Sequence, residues 1–148
     1  MANKMTINFK AVDDYLAKLK KVDGAAERAV ESALKQTQTL IADKAAAAME
    51  PHNKSHVTAD QIITDGVIEW TQQTASIPVG FQIEDSSGGM PGLPSIFIMH
   101  GTKLHGQPHV ERDEKLYNAV YGKDTKKEVK ELQKAAFDQA LKEAGLID

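Results

Sequence analysis

The pattern of polar and apolar positions predicts helices at both ends of the chain and strands in the middle. Residues 5–10 alternate, with apolar side chains on one face, which is typical of a short strand. Apolar residues then recur at helical spacing over residues 12–22. A longer helical pattern runs from Ala26 to Pro51, where proline ends it.

Two strands are predicted in the middle of the chain, at residues 67–70 and 75–83, with a polar turn between them. Alternate positions of the second strand are apolar and share one face: Ile77, Val79, Phe81 and Ile83. A loop is predicted over residues 84–94, because glycine, proline and serine dominate a segment too long for a tight hairpin. We expect it to be flexible, with Met90 and Leu93 facing solvent at its tip.

Helices are predicted again after a short apolar segment at residues 95–99. Pro108 stands where the first of these helices is expected to begin. Thr125 and Glu128 fit a capping box in front of a long amphipathic helix. Because no repeat or linker divides the chain, we predict one α+β domain over residues 1–148. It has a long N-terminal helix, a small antiparallel sheet with a long loop, and C-terminal helices.

Composition and charge exclude several classes of protein. The 148 residues are 41% hydrophobic and 26% charged, which is average for a globular domain. Cysteine is absent, so disulfides, thiol nucleophiles and cysteine-ligated metals are excluded. The net charge is −3, and residues 51–110 carry two lysines against five carboxylates. No segment shows the basic stripe that phosphate binding needs, and no apolar run approaches the ~18 residues of a membrane helix.

The strongest candidate for chemistry is a group of three histidines, His100, His105 and His109, followed by Glu111 and Asp113. Imidazole and carboxylate groups ligate zinc or nickel, so a small His-dependent metal-binding protein or enzyme is one hypothesis. Glycine and proline interrupt the spacing of the three rings, which favours exposed loop histidines instead. Nucleophile-elbow, P-loop and dinucleotide motifs are missing, so we predict no catalytic residue, no cofactor and no enzymatic activity.

One part of the chain resembles a known family. Residues 96–102 read Ile-Phe-Ile-Met-His-Gly-Thr, and residues 107–112 read Gln-Pro-His-Val-Glu-Arg. The Gly-Thr and Gln-Pro pairs resemble the motif of the small tail-completion, or head–tail joining, proteins of long-tailed bacteriophages, related to the minor tail protein Z group. Val110 and Arg112 fall close to the hydrophobic and basic places of that motif. His109 departs from it, since the family has an aromatic residue there.

The resemblance implies a structural virion protein that acts in tail completion and head–tail joining. Such proteins form homo-oligomeric rings, commonly hexamers, at the neck or upper tail, and are assembled in the host cytoplasm. The implied partners are neck or head-closure proteins and tail-terminator or tail-tube proteins, with DNA only as a passing cargo and no membrane. A regulatory helix-binding adaptor, which predicts a monomer or dimer, is a further alternative.

Two contact regions are expected on this hypothesis. The first is the loop, which becomes ordered against a neighbour: Ser86, Ser87, Gly88, Gly89, Met90, Pro91, Gly92, Leu93 and Pro94. The second is a turn: Gly101, Thr102, Pro108 and Val110. Gly101 permits close approach and Pro108 stiffens the helix entry, although plain turn residues explain both equally well. Glu84 and Asp85 are expected to line the ring lumen, where negative charge repels DNA and keeps it sliding.

Overall fold

A computed structural model describes residues 3–8, 24–52, 56–72 and 74–146 of the chain. The elements in chain order are β1 (Asn3–Asn8), α1 (Ala25–Met49), β2 (Glu69–Thr71), β3 (Thr74–Val79), α2 (Leu93–His100), β4 (Thr102–Leu104), β5 (Gln107–Val110), α3 (Glu114–Tyr121) and α4 (Lys123–Glu143). The predicted α+β class, long helix, small antiparallel sheet and C-terminal helices are confirmed. The helix predicted over residues 12–22 lies outside the described residues.

The central sheet has three antiparallel strands in the order β1–β3–β2. Its middle strand follows the predicted alternation, and Ala75, Ile77 and Val79 are buried. The strand ends earlier than predicted because Gly80 takes a left-handed φ of 89°. Beyond it Phe81 pairs with Ile62 in an isolated antiparallel bridge, so the same apolar face continues into the core.

One side of α1 is tied to the sheet by two long polar side chains. The Gln38 amide, which is buried, donates from Nε2 to the carbonyl of Pro78 at 2.7 Å. The Lys35 ammonium donates to the carbonyl of Gly66 at 2.6 Å. Both contacts fix the segment around β2 and β3 against the same face of the helix.

Helix α1 is also packed against α4. Gln133 donates from Nε2 to the Thr37 hydroxyl at 3.2 Å, and Lys44 forms an ion pair with Glu128 at 2.8 Å. At 3.6 residues per turn, these two positions lie about 100–120° around α1 from Gln38, within the same broad buried side of the helix. The sheet and α4 also adjoin one another, because Met5 and Val79 line a pocket together with Val129.

Small side chains let both layers approach α1 closely. Its buried residues include six alanines: Ala25, Ala26, Ala29, Ala33, Ala42 and Ala45. The larger Leu34 and Ile41 are also fully buried. A helix that packs along one broad side needs this composition, because an alanine face lets helix axes pack near the short end of the usual 8–10 Å range.

The region before the C-terminal helices differs most from the prediction. The apolar segment forms helix α2, with Pro94 in its first turn, where a missing N–H costs no intrahelical hydrogen bond. Pro108 does not begin a helix, because it lies in β5 of a separate two-stranded sheet whose free edges tolerate proline. Asp113 begins α3 instead, accepting a hydrogen bond from the Leu116 N–H at 2.9 Å.

The predicted capping box at Thr125 is also wrong. Helix α4 begins two residues earlier, at Lys123, directly after Gly122. The Thr125 hydroxyl is buried and donates to the Asn118 carbonyl at 2.7 Å, which joins the first turn of α4 to α3. The amphipathic face of α4 is as predicted, since Val129, Ala136, Phe137 and Leu141 are buried.

Candidate interaction surface

Exposed apolar side chains are concentrated in one part of the chain. Most of the large apolar side chains that the described residues expose fall between residues 90 and 110: Met90, Ile96, Phe97, Leu104 and Val110. Single exposed apolar residues are ordinary, but a concentration of them marks an interaction surface. We refer to residues 90–110 as the apolar segment; it contains most of the motif that resembles the tail-completion proteins.

The elements of the apolar segment adjoin one another. The Asp113 N–H, just past β5, donates to the Ile98 carbonyl of α2 at 2.8 Å. A Cβ atom on Gly101 would lie 2.6 Å from the Val110 carbonyl oxygen, so the end of α2 and the end of β5 are in backbone contact. The β4–β5 hairpin is therefore held at the C-terminal end of α2, and Phe97 and Val110 belong to neighbouring elements.

The loop before α2 is organised by the side chain of Asp85. Its Oδ1 accepts hydrogen bonds from the Ser87 hydroxyl at 2.6 Å, the Ser87 N–H at 2.9 Å and the Gly89 N–H at 2.8 Å. The Ser87 side chain, and then the Gly89 N–H, lower the pKa of the Asp85 carboxyl below its ordinary value. An anion at Asp85 thus holds the turn together at neutral pH.

The structure separates the predicted loop residues into an exposed and a covered group. Exposed are Ser86, Ser87, Gly88, Met90 and Pro94; partly or fully covered are Gly89, Pro91, Gly92 and Leu93. The expectation for Met90 is confirmed, since its side chain is 51% exposed. That for Leu93 is wrong, because this residue begins α2 and packs against the hydrophobic core.

Gly92 explains why the loop lies close to the sheet. A Cβ at this position would lie 2.0 Å from the Gln82 carbonyl oxygen and 2.9 Å from the Cα of Ile83. The Gly92 N–H donates to the Ile83 carbonyl at 3.2 Å. The second half of the loop is therefore tethered, and its first half, residues 84–90, is exposed except at Gly89.

The β4–β5 hairpin occupies the predicted turn. Gly101 and Thr102 stand at its first end, and Pro108 and Val110 belong to its second strand. Gly101 has φ 70° and ψ 174°, a conformation that glycine alone adopts without strain. The Thr102 hydroxyl is buried and has no hydrogen-bond partner in the described part of the chain. Pro108 pairs with Lys103 across the hairpin, and Val110 is 43% exposed at its end.

Four of the five histidines have separate surroundings. His100 packs edge-on against the Tyr117 ring, with centroids 5.8 Å apart. His52 forms a hydrogen bond with the carboxylate of Asp113, the N-cap residue of α3. His105 and His109 are exposed on the hairpin. Within the described ranges, no group of three or more His, Asp or Glu side chains is placed to hold a metal ion.

The Asp113 carboxyl is the most constrained titratable group near this surface. The Leu116 N–H, followed by the His52 ring, lowers its pKa from the ordinary value of 3.8. Close by, the Arg112 guanidinium lies 4.4 Å from the centroid of the Tyr117 ring and also pairs with the Glu114 carboxylate. These contacts stabilise the N-terminal end of α3. They also fix the position of Arg112, which belongs to the motif that resembles the tail-completion proteins.

The lysines of α4 form a stripe that the linear charge pattern does not reveal. Lys123, Lys127, Lys130 and Lys134 follow one another at spacings of four, three and four residues, which places them on one helix face. All four are exposed, and among the described residues no ion pair or hydrogen bond engages them. Carboxylates share this side of the helix, since Glu131 follows Lys127 and Asp138 follows Lys134 by four residues. The expectation that no segment has the basic stripe needed for phosphate binding therefore stays a prediction.

Comparison of the chain with protein-family models, with characterised proteins and with solved structures finds no match. Among the described residues, no helix is both long enough and apolar enough to cross a membrane. The geometry of the apolar segment and of the loop before it thus supports the function proposed below.

Proposed function

We propose that this chain is a structural virion protein of a long-tailed bacteriophage or prophage, acting in tail completion and head–tail joining as part of a ring at the neck or upper tail. The observation that carries the proposal is the apolar segment. Five exposed large apolar side chains lie in or next to the residues that resemble the tail-completion motif.

The chemistry of this surface supports binding more than catalysis. Exposed apolar groups at α2 and the hairpin lose contact with water when a protein partner covers them, at roughly 25 cal/mol per Å² of apolar area. In the described part of the chain, no further strand pairs with either edge of the two-stranded β4–β5 sheet, so its edges are open to a partner. On this proposal the partners are copies of the chain and the adjoining neck and tail proteins, DNA only passes through, and the protein assembles in the host cytoplasm.

The direct test is in-frame deletion of the gene from the phage or prophage that carries it. We expect lysates to contain filled heads and separate tails, seen by electron microscopy, and infectivity to return when the gene is supplied in trans. Mass spectrometry of purified wild-type particles is expected to detect the chain. Joined, infectious particles that lack the protein would contradict the proposal.

A further inference from the structure

We propose that the tip of the β4–β5 hairpin of one copy of the chain inserts Leu104 into an apolar cavity on the next copy. The hairpin tip is residues 104–107, at the turn that joins the two strands. The cavity, which we call the valine cavity, lies between the central sheet and the junction of α3 with α4. This inference rests on the proposed ring, and it names the contact that joins neighbouring copies.

The hairpin tip projects from the rest of the described molecule. Leu104 pairs with Gln107, so only His105 and Gly106 form the turn. Their φ angles are both positive, at 51° and 79°, as in the tight turns that match the twist of a β-hairpin. A Cβ atom built on Gly106 meets no described atom within 4 Å, and Leu104 is 54% exposed. An apolar side chain is therefore held at the end of a narrow projection.

The other exposed apolar side chains of this region have a different setting. Ile96 and Phe97 follow one another on helix α2, where they are 37% and 46% exposed. A side chain on a helix surface is suited to a partner that lies flat against the helix. Leu104, at the tip of a hairpin, is suited to a cavity.

The valine cavity is apolar and large enough for a leucine side chain. Its volume is about 260 Å³. It is lined by Val79 of β3, by Val120 and Tyr121 of α3, and by Thr125, Lys126 and Val129 of α4. The Thr125 hydroxyl already donates to the Asn118 carbonyl, so it offers little to a water molecule in the cavity. Since an apolar cavity of about 150 Å³ holds a benzene molecule, this one has room for the side chain of Leu104.

The mouth of the valine cavity is formed before a partner arrives. Lys126 is exposed and Tyr121 is partly exposed, so the cavity opens to solvent between them. The Tyr121 ring is packed beside the rings of Tyr117 and His100, with centroids 5.1 Å and 6.1 Å away. These contacts hold the Tyr121 ring in place, so little side-chain freedom is lost when the cavity is filled.

The hairpin tip and the valine cavity are at separate places on one molecule. The hairpin is held at the start of α3, where the Asp113 N–H donates to the Ile98 carbonyl at 2.8 Å. The cavity is at the other end of this eight-residue helix, about 12 Å farther along at 1.5 Å per residue. Two different surfaces that meet across copies form a heterologous contact, which closes into a ring when the rotation between copies allows.

Apolar burial, and not charge, drives this contact. Lys103 precedes Leu104 in the hairpin, and Lys126 stands at the mouth of the cavity. Asp124, which lines the adjoining cavity beside Tyr121 and Lys126, supplies a carboxylate of opposite sign. The charges are therefore mixed, and we expect association to persist at about 1 M ionic strength, where the Debye length is only about 3 Å.

Single cysteines test whether the tip meets the cavity. The chain has no cysteine, so a mixture of Leu104→Cys and Lys126→Cys copies forms a disulfide only between two molecules. The bond requires Cα atoms about 4.4–6.8 Å apart. A size tag on one variant separates the mixed dimer from like dimers on a non-reducing gel. The matched control pairs Leu104→Cys with Lys142→Cys, an exposed position about 24 Å farther along α4. We expect the mixed disulfide in the first mixture and only background in the second.

Sedimentation velocity over a range of protein concentrations measures the contribution of Leu104. Leu104→Ser should associate about tenfold more weakly than the wild type, because serine forfeits the apolar area that the cavity removes from water. Leu104→Met keeps an apolar side chain of similar volume and should associate nearly as the wild type does. The matched control is Val67→Ser, which alters a side chain that is 75% exposed outside the apolar segment and should leave association unchanged.

Three results would overturn the contact. They are a mixed disulfide no more abundant than in the control mixture, equal association of Leu104→Ser and Val67→Ser, or a wild type that stays monomeric at every concentration. Saturable binding of the apolar dye anilinonaphthalene sulfonate by a monomeric wild type would assign the cavity to a small ligand instead. Failure of the gene-deletion test with the specific disulfide intact would remove the phage function and leave the contact, so the two proposals fail separately.

Discussion

Gly101 holds a backbone conformation that any larger residue adopts only with strain. Its φ of 70° is combined with a carbonyl 2.6 Å from where a Cβ would stand. We expect Gly101→Ala to lower the free energy of unfolding by about 2–4 kcal/mol, from strain and overpacking together. The matched control is Gly106→Ala, where φ is 79° but no atom lies within 4 Å of the added Cβ.

Urea denaturation of the two alanine variants separates the two causes. The Gly106→Ala variant should be destabilised only by its strained φ angle. Its free energy of unfolding should therefore fall by less than that of Gly101→Ala. Equal losses would mean that the contact between α2 and β5 carries no constraint, and that Gly101 is a plain turn residue.

Asp113 should make the stability of the protein depend on pH at the acidic end. The Leu116 N–H and the His52 ring lower the folded-state pKa of Asp113 below 3.8. Its stabilisation is therefore fully present above that pH, and it is lost as the pH falls through the folded-state value. Asp113→Asn keeps an N-cap acceptor for α3 but removes the titration, whereas Asp113→Ala loses the cap as well, at about 1 kcal/mol.

Denaturant midpoints measured from pH 7 down to acid distinguish these variants. The wild type should exceed Asp113→Asn at neutral pH and converge with it in acid, while Asp113→Ala stays below both. A constant difference between wild type and Asp113→Asn at all pH values would show that the carboxylate charge plays no part.

The sequence predicts the long elements well, because their patterns repeat over several turns. Alanine and aliphatic spacing up to Pro51 predicts α1, and the alternation around Ile77 predicts β3. Helix α2 has no such pattern: it has eight residues, nearly all apolar, with Met99 buried and Phe97 exposed. Pro94 is the residue that indicates α2 in the sequence, since proline is favoured in the first turn of a helix.

Helix α1 should tolerate loss of a buried side chain poorly, because its buried side contacts both the sheet and α4. Leu34 is fully buried, and we expect Leu34→Ala to cost about 2–5 kcal/mol in the free energy of unfolding. Leu104→Ala is the matched control, since it removes the same atoms from a side chain that is 54% exposed. It should change stability by no more than about 0.5 kcal/mol, and comparable losses in chemical denaturation would contradict the burial of Leu34 in the core.

The surface of the whole molecule is the part of the structure that the sequence predicts least well. The charges of α4 cancel along the chain, and only the helical twist gathers Lys127 and Lys130 on one face, away from Glu128. Leu93 and Met90 are both apolar residues of the same glycine- and proline-rich segment, yet tertiary packing covers Leu93 and leaves Met90 exposed. Contacts between residues far apart in the sequence decide which side chains remain exposed to a partner. The local sequence pattern carries little information about those contacts.

The apolar segment should matter for assembly and not for folding. Phe97 and Leu104 are 46% and 54% exposed, so Phe97→Ser/Leu104→Ser removes apolar surface without opening a cavity. The control is Val57→Ser/Val67→Ser, which removes exposed apolar groups outside the segment. Both variants should unfold at nearly the wild-type denaturant concentration.

Complementation of the gene deletion then tells the two variants apart. If the apolar segment contacts a neighbour in the virion, Phe97→Ser/Leu104→Ser should restore infectivity poorly and leave heads and tails unjoined, while the valine control restores it. Burial of these side chains at an interface is the physical reason, because serine forfeits the apolar area that each would remove from water. Full complementation by the Phe97/Leu104 variant would show that this surface is not the one that joins the chain to its neighbours.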